Sequence, residues 1–153
     1  MAHKSIKKMN LNIKILLTLS FSIFIAFGSF SQETKQVIKV TNIEKVKGNL
    51  YVGWYKQSET FRVNEKAIYR EKIKINNQTE LSIVFKNIPK GKYAIAVFLD
   101  ENDNYKLDKN FFGIPKEKYG FSNNVLPSLR PATFEESSFD LQQQETEMTI
   151  NLK

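Results

Sequence analysis

The sequence has no cysteine and a single histidine in 153 residues. Without cysteine, the chain has no disulfide scaffold, iron–sulfur cluster, thiolate zinc site or cysteine nucleophile. It also has no internal repeat or low-complexity segment, and its length suits one domain. Hydrophobic residues make up 41% and aromatic residues 12% of the chain, which is enough for a packed core and argues against a disordered chain.

The first 31 residues have the pattern of a secretory signal peptide. A basic start precedes an apolar run over residues 15–27, and small residues precede a cut after Ser31. The alternative is a retained membrane anchor, which needs roughly 20 apolar residues. The apolar run of residues 15–27 is shorter than that. We therefore predict a signal peptide over residues 1–31 and one domain over residues 32–153. The protein is expected to be secreted or periplasmic, exported through the Sec pathway, with no membrane span after cleavage.

Cleavage changes what the charge implies. The formal net charge of the whole chain is +7, but the first 31 residues carry four of the 23 basic residues and none of the 16 acidic ones. The remaining 19 basic against 16 acidic residues give +3. The same cut removes His3, so any metal or chemistry in the domain relies on oxygen, lysine and tyrosine groups. No nucleic-acid partner is expected, because the domain is mildly basic and lacks interleaved basic and aromatic residues.

A period of two dominates the rest of the chain and predicts β-strands. Runs with one apolar face cover residues 38–41, 50–55, 72–75 and 81–86, residues 93–99 are apolar on both faces, and residues 139–141 and 148–152 give two closing strands. Tight turns are predicted at residues 46–49 and 88–91, and only residues 58–70 have room for a short helix. The expected fold is all-β, a single antiparallel two-sheet β-sandwich of the immunoglobulin or transthyretin type.

One long segment, residues 100–133, has no strand pattern yet carries five aromatic residues. Connections of this length are usually functional or disordered, and the aromatic residues favour an ordered loop. Oxygen side chains recur near its start at the spacing of a calcium loop, because Ca²⁺ prefers oxygen ligands turned inward from alternate residues. The predicted ligands are Asp100, Asn102, Asn104, the main-chain carbonyl of Lys106, and Asp108.

Two positions depart from the calcium pattern. Tyr105 stands where the sharp turn favours glycine, and Phe111 stands where such loops have a bidentate glutamate. Glu117 is a candidate for the missing carboxylate. The alternative is an ion-free turn in which the Asp and Asn side chains bond the backbone amides of the loop itself. The cofactor expectation is therefore Ca²⁺ or none.

Several motifs follow one another in a characteristic order. They are Pro-Lys-Gly-Lys-Tyr-Ala at residues 89–94, the Asp/Asn-rich loop at 100–108, Gly-Ile-Pro-Lys-Glu at 113–117 and Tyr-Gly-Phe-Ser-Asn at 119–123. Over about Val37 to Leu152 the sequence resembles the bacterial exported family known as domain of unknown function 2141 (DUF2141). The resemblance implies a secreted or periplasmic β-sandwich with no assigned activity, similar to transthyretin-like and carboxypeptidase-regulatory-like modules. The family pattern has His at Leu99 and Gly at Tyr105.

The aromatic residues of the long segment and the strand before it have two interpretations. A sugar-stacking platform is one, and burial in the core is the one we expect, as for Trp54. The residues concerned are Tyr93, Phe98, Phe111, Phe112 and Phe121.

These observations predict a non-enzymatic binding or structural module of the cell envelope, whose ordered loop presents a surface to an unknown protein or glycan. One alternative is a carbohydrate-active enzyme in which Asp100, Asp108 and Glu117 do acid–base work, or a glycan-binding accessory using the same loop. Another is a structural accessory of a larger envelope complex.

Overall fold

A computed structural model describes residues 34–44 and 47–153. The predicted signal peptide lies outside the described residues. The strands are β1 (Lys35–Thr41), β2 (Lys47–Tyr55), β3 (Tyr69–Asn76), β4 (Leu81–Lys86), β5 (Gly91–Asp100), β6 (Tyr119–Phe121), β7 (Ser138–Leu141) and β8 (Glu145–Asn151). A four-residue helix α1 (Phe134–Ser137) and 3₁₀ turns at Asn64–Lys66 and Ser122–Asn124 complete the described elements. None of the helices in the described residues has the length and apolar character needed to cross a bilayer.

The strands form two sheets. A three-stranded sheet has the order β4-β1-β8, and a five-stranded sheet has the order β3-β2-β5-β6, with β7 also paired to β5. All pairs are antiparallel except β1 with β8, which run parallel. The predicted all-β, two-sheet sandwich is confirmed. The parallel pair was not predicted, because alternation within a strand carries no information about the direction of its neighbour.

The main core lies between the two sheets. It contains Ile38 and Val40 from β1 and Leu50, Val52 and Trp54 from β2, all buried. The Trp54 ring meets Phe85 of the three-stranded sheet edge to face, with ring centroids 5.4 Å apart. Aromatic pairs in this geometry add to the energy of apolar burial, so Trp54 ties the sheets together and its predicted place in the core is confirmed.

The outer face of the five-stranded sheet is also largely covered. We expected β2 to have one buried face, but Tyr51 and Tyr55, which point away from the main core, are buried too. A second apolar cluster forms where the connections over residues 56–68 and 125–134 fold across β2 and β5; it contains Tyr55, Phe61, Ala94, Phe121, Ala132 and Phe134. The second face is buried by chain segments far away in sequence, which alternation within β2 does not reveal.

The long segment after β5 contains a strand that the sequence analysis missed. Residues 119–121 form β6 and pair with β5, although we expected no strand between residues 100 and 133. Three residues are too few to show a period of two. On the side of β6 that does not pair with β5, the backbone N of Lys153 donates to the carbonyl of Tyr119 at 2.9 Å. Within residues 58–70, the helical structure is the 3₁₀ turn alone.

Candidate functional site

A groove of about 680 Å³ lies on the outer face of the five-stranded sheet. Its floor comes from β2, β5 and β6, and its walls come from residues 62–65, 105–107, 109, 112–115 and 127–131. Small-molecule sites in proteins have volumes of roughly 300–1,000 Å³. The groove therefore has the size of a ligand site.

The floor of the groove has a small centre and aromatic sides. Gly53 of β2 lies directly opposite Ala96 of β5. The Tyr55 ring and Ala67 cover Gly53, whereas Ala96 is only partly buried and lines the groove. On one side, Tyr51 stacks on Phe98 with ring centroids 5.0 Å apart. On the other side, burial and the nearby charge of Glu65 raise the pKa of Tyr55 from 10.0 to about 12.

The charged side chains that line the groove are mostly basic. Arg62, Lys106, Lys109 and Arg130 line it, whereas Glu65 is the single acidic lining residue in the described chain. Arg130 is neutralised by a two-pronged pair with Glu136, at 2.6 and 2.8 Å. The other three basic residues have no ion-pair partner among residues 34–44 and 47–153, so the groove has a net positive charge.

Residues 100–108, the Asx loop, form one wall together with the turn that follows. Asp100, at the end of β5, is fully buried, and its two carboxylate oxygens accept the backbone N–H groups of Asn104 at 3.1 Å and Tyr105 at 2.8 Å. Asn102 accepts the N–H of Asn104 at 3.2 Å, and Asn104 accepts that of Lys106 at 2.9 Å. Each of these side-chain oxygens therefore accepts a backbone amide of the loop itself, which is the hydrogen bonding described for the ion-free alternative.

Asp108 closes the Asx loop. Because the oxygens of Asn102 and Asn104 face backbone amides, their NH₂ groups point the other way and donate to the Asp108 carboxylate, at 2.8 and 2.9 Å. The structure thus brings Asp100, Asn102, Asn104 and Asp108 into one hydrogen-bonded cluster. Within the described residues, no group of three or more His, Cys, Asp or Glu side chains is arranged to hold a metal ion; the calcium site stays a prediction.

Glu117 joins the two ends of the segment. Its side chain is 6% exposed, and its oxygens accept the backbone N–H groups of Glu101 at 2.9 Å and Asp108 at 2.8 Å. It therefore bonds the backbone on both sides of the Asx loop. This clamp holds residues 101–117 as a closed unit on the end of β5.

Tyr105 links the Asx loop to the groove. Its backbone has a φ of 68°, in the left-handed region that favours glycine, which is the conformation expected at this position of a calcium loop. The ring lies edge-on to Tyr51 at 6.1 Å, and the Lys72 ammonium lies 4.6 Å from its centroid. These contacts compensate for the unfavourable backbone. The hydroxyl of Tyr51 and the carboxylate of Asp103 raise the pKa of Lys72 above its ordinary value.

The aromatic residues do not share one environment. Tyr93 and Phe121 are buried as expected, and Phe98 is half-buried under the groove. The expectation is wrong for Phe111 and Phe112, which are 97% and 82% exposed. Their local sequence resembles core sequence, but the tight turn that carries them lies at the rim of the groove, where Phe112 lines the wall and Phe111 faces solvent.

The sequence analysis also missed the groove itself. Its walls come from three separate segments of the chain, so no local pattern joins them. The sequence contains one local sign of a groove wall, the segment Pro127-Ser128-Leu129-Arg130-Pro131, in which two prolines flank a leucine. In the structure this segment is ordered and the leucine is exposed.

Comparison with known proteins gives one match. The model of a family described as uncharacterized proteins conserved in bacteria (DUF2141) matches residues 38–149, which is most of the chain and spans β1 to β8. No curated protein and no solved structure matches the chain. The predicted resemblance is confirmed, and the chain belongs to the DUF2141 family.

Proposed function

We propose that this protein is an exported, non-enzymatic binding module of the cell envelope, and that its groove binds an anionic glycan. The observation that carries the proposal is the groove, which has the exposed rings of Tyr105 and Phe112 in its walls and three unpaired basic residues around a floor of small residues. Sugar rings stack on aromatic side chains, and acidic sugars supply the carboxylates that Arg and Lys bind. The alternative ligand is an acidic protein segment, and the binding experiment distinguishes it from a glycan.

The placement of the carboxylates supports binding rather than hydrolysis. Glycoside hydrolysis needs two carboxyl groups facing one substrate, and Glu65 is the only one among the described lining residues. Asp100 and Glu117 accept backbone amides with both oxygens, and Asp108 accepts the side-chain amides. These are positions where a carboxylate stabilises a loop.

The test is calorimetric titration with oligogalacturonate, with neutral galactan oligomers of the same length as the comparison. We expect the acidic oligomer to bind and the neutral one to bind much more weakly. Ala96→Phe fills the centre of the groove and should weaken binding by about tenfold or more, a loss of about 1.4 kcal/mol. Val84→Phe, on the outer face of the other sheet, is the matched control and should bind like the wild type.

Two results would count against the groove. One is the absence of binding by any acidic oligomer, and the other is equal affinity of the Ala96→Phe and Val84→Phe proteins. Binding of an acidic peptide but not of oligogalacturonate would assign the groove to a protein partner. Export is tested separately by sequencing the amino terminus of the exported protein. It should begin near Gln32, and an intact Met1 would contradict the proposal.

Calcium is a second candidate for the Asx loop, supported by the left-handed backbone at Tyr105 and by the inward oxygens of Asp100, Asn102 and Asn104. Each of these oxygens has lone pairs beyond those used by the amides. Thermal unfolding with millimolar Ca²⁺ and then with chelator decides the matter. An ion at ten times its dissociation constant adds about 1.4 kcal/mol and raises Tm by several degrees; coincident curves would leave a loop held by hydrogen bonds alone.

A further inference from the structure

An apolar turn protrudes from the rim of the groove. Residues 109–115, the tip turn, are closed by a β-bridge between Lys109 and Pro115. Phe111 is 97% exposed, Phe112 82% and Ile114 59%. Large apolar side chains grouped in this way at a surface mark an interaction site. Nothing among residues 34–44 and 47–153 covers Phe111, and its one aromatic contact is the neighbouring Phe112 ring at 5.6 Å.

The tip turn is held in shape by its own hydrogen bonds. The backbone N of Asn110 donates to the carbonyl of Ile114 at 2.8 Å. The side-chain oxygen of Asn110 accepts the N–H groups of Phe112 at 2.9 Å and Ile114 at 3.0 Å. Gly113 takes the left-handed position, with a φ of 77°. The apolar side chains are therefore displayed by a preorganised backbone, so binding through them requires little further ordering.

The charge around the tip turn is positive. Lys106, Lys109 and Lys116 are exposed and unpaired in the described chain. The two acidic residues between Lys106 and Lys118 are Asp108 and Glu117, and their oxygens accept amide hydrogens. Basic side chains thus surround the exposed phenylalanines.

A second exposed apolar side chain lies on another wall of the groove. Leu129 is fully exposed, beside Arg130 and between two prolines. Both walls line the same groove, so the two apolar projections lie on the same face of the domain.

We propose that the tip turn and Leu129 insert into an anionic lipid surface. Aromatic side chains settle in the interfacial region of a bilayer, and anionic headgroups attract the lysines around them. Phe111 is almost completely exposed at the end of a narrow turn, so it projects from the surface. A fluid lipid phase can accept such a side chain, whereas a protein partner would need a complementary pocket. A second copy of this chain is a poorer partner, because its tip turn would place the same lysines against the lysines of the first copy, and like charges repel.

The experiment is flotation of the exported protein with vesicles of phosphatidylcholine and phosphatidylglycerol in about equal parts, against vesicles of phosphatidylcholine alone. The wild type should float with the anionic vesicles. Phe111→Ser should reduce the partition coefficient by about tenfold. Lys116→Glu should reduce it by about fivefold or more. Val84→Ser, which removes an exposed apolar side chain from the other sheet, is the matched control and should partition like the wild type.

Equal partition of the Phe111→Ser and Val84→Ser proteins overturns the proposal. Any vesicle binding through the amino-terminal residues is the same in both variants, so a difference between them reports on Phe111. Absence of wild-type flotation overturns it as well. If sedimentation velocity then shows a dimer that Phe111→Ser abolishes, the tip turn belongs to an interface between copies. Phe111 and Lys116 do not line the groove, so oligogalacturonate binding should be unchanged in both variants and the two proposals fail independently.

Discussion

Glu117→Gln is the substitution that most directly tests how residues 101–117 are held. The carboxylate of Glu117 accepts one backbone N–H on each side of the Asx loop, at 2.9 and 2.8 Å, and is 6% exposed. Glutamine has nearly the same shape but replaces one acceptor oxygen with an NH₂ donor. In either orientation that donor faces a backbone N–H, from Glu101 or from Asp108, and one amide loses its acceptor.

The expected destabilisation follows from these contacts. A hydrogen bond to a charged group contributes about 1.5–3 kcal/mol, and a buried donor left without a partner costs about 1–3 kcal/mol. Since the two figures describe the same lost contact, we expect a total near 2 kcal/mol. One kcal/mol shifts Tm by roughly 4 °C for a domain of this size. Glu117→Gln should therefore melt about 8 °C below the wild type.

The assay is thermal unfolding followed by circular dichroism, with amide hydrogen exchange as a local readout. Glu147→Gln removes the same charge from an exposed position of β8 and is the matched control. Exchange at the amides of Glu101 and Asp108 should accelerate in the Glu117 variant alone. If the two variants melt within about 1 °C of each other, and the two amides keep their protection, the carboxylate clamp does not hold the segment.

Two further substitutions test the geometry elsewhere. Gly48→Ala should lower the free energy of unfolding by about 2 kcal/mol or more in urea titrations, because Gly48 has a φ of 127° and a Cβ there would lie 2.7 Å from the carbonyl oxygen of Asp100. Unchanged stability would contradict this close approach between β2 and the end of β5. Glu136 should titrate by NMR with a pKa of about 2 instead of 4.5, because Arg130 and the Thr133 N–H stabilise its carboxylate. Since the folded pKa is lowered, the stabilisation is complete above pH 4.5 and is lost as pH falls towards 2. Arg130→Ala should return the pKa towards 4.5, and a wild-type value already near 4.5 would contradict the pairing.

The strands that the sequence predicts well are those whose burial depends on one partner surface. In β1, Ile38 and Val40 face the core while Lys39 does not, and the period of two follows directly. Strand β5 is apolar on both faces because the main core covers one face and the second apolar cluster covers the other. Its continuous apolar run therefore predicts a buried strand without showing which segments bury it.

Other features depend on segments that meet only in the folded chain. The outer face of β2 is buried because Phe61 and Phe134 reach it from separate connections. Strand β6 forms because residues 119–121 lie between β5 and the carboxyl terminus, not because of their own alternation. Phe111 and Phe112 illustrate the converse, since Asn110 and Gly113 turn the backbone so that apolar residues point into solvent.

The Asp and Asn side chains of residues 100–108 bond backbone amides of their own loop, and the structure gives that loop a wider role. Asp100 and Glu117 hold the segment at its two ends, and between them lie Tyr105 on the groove and Phe111 at the tip turn. Loss of the Glu117 clamp should therefore weaken both glycan binding and vesicle binding, whereas Phe111→Ser affects vesicles alone and Ala96→Phe affects the glycan alone. That pattern of three variants separates a carboxylate that organises a surface from the side chains that form it.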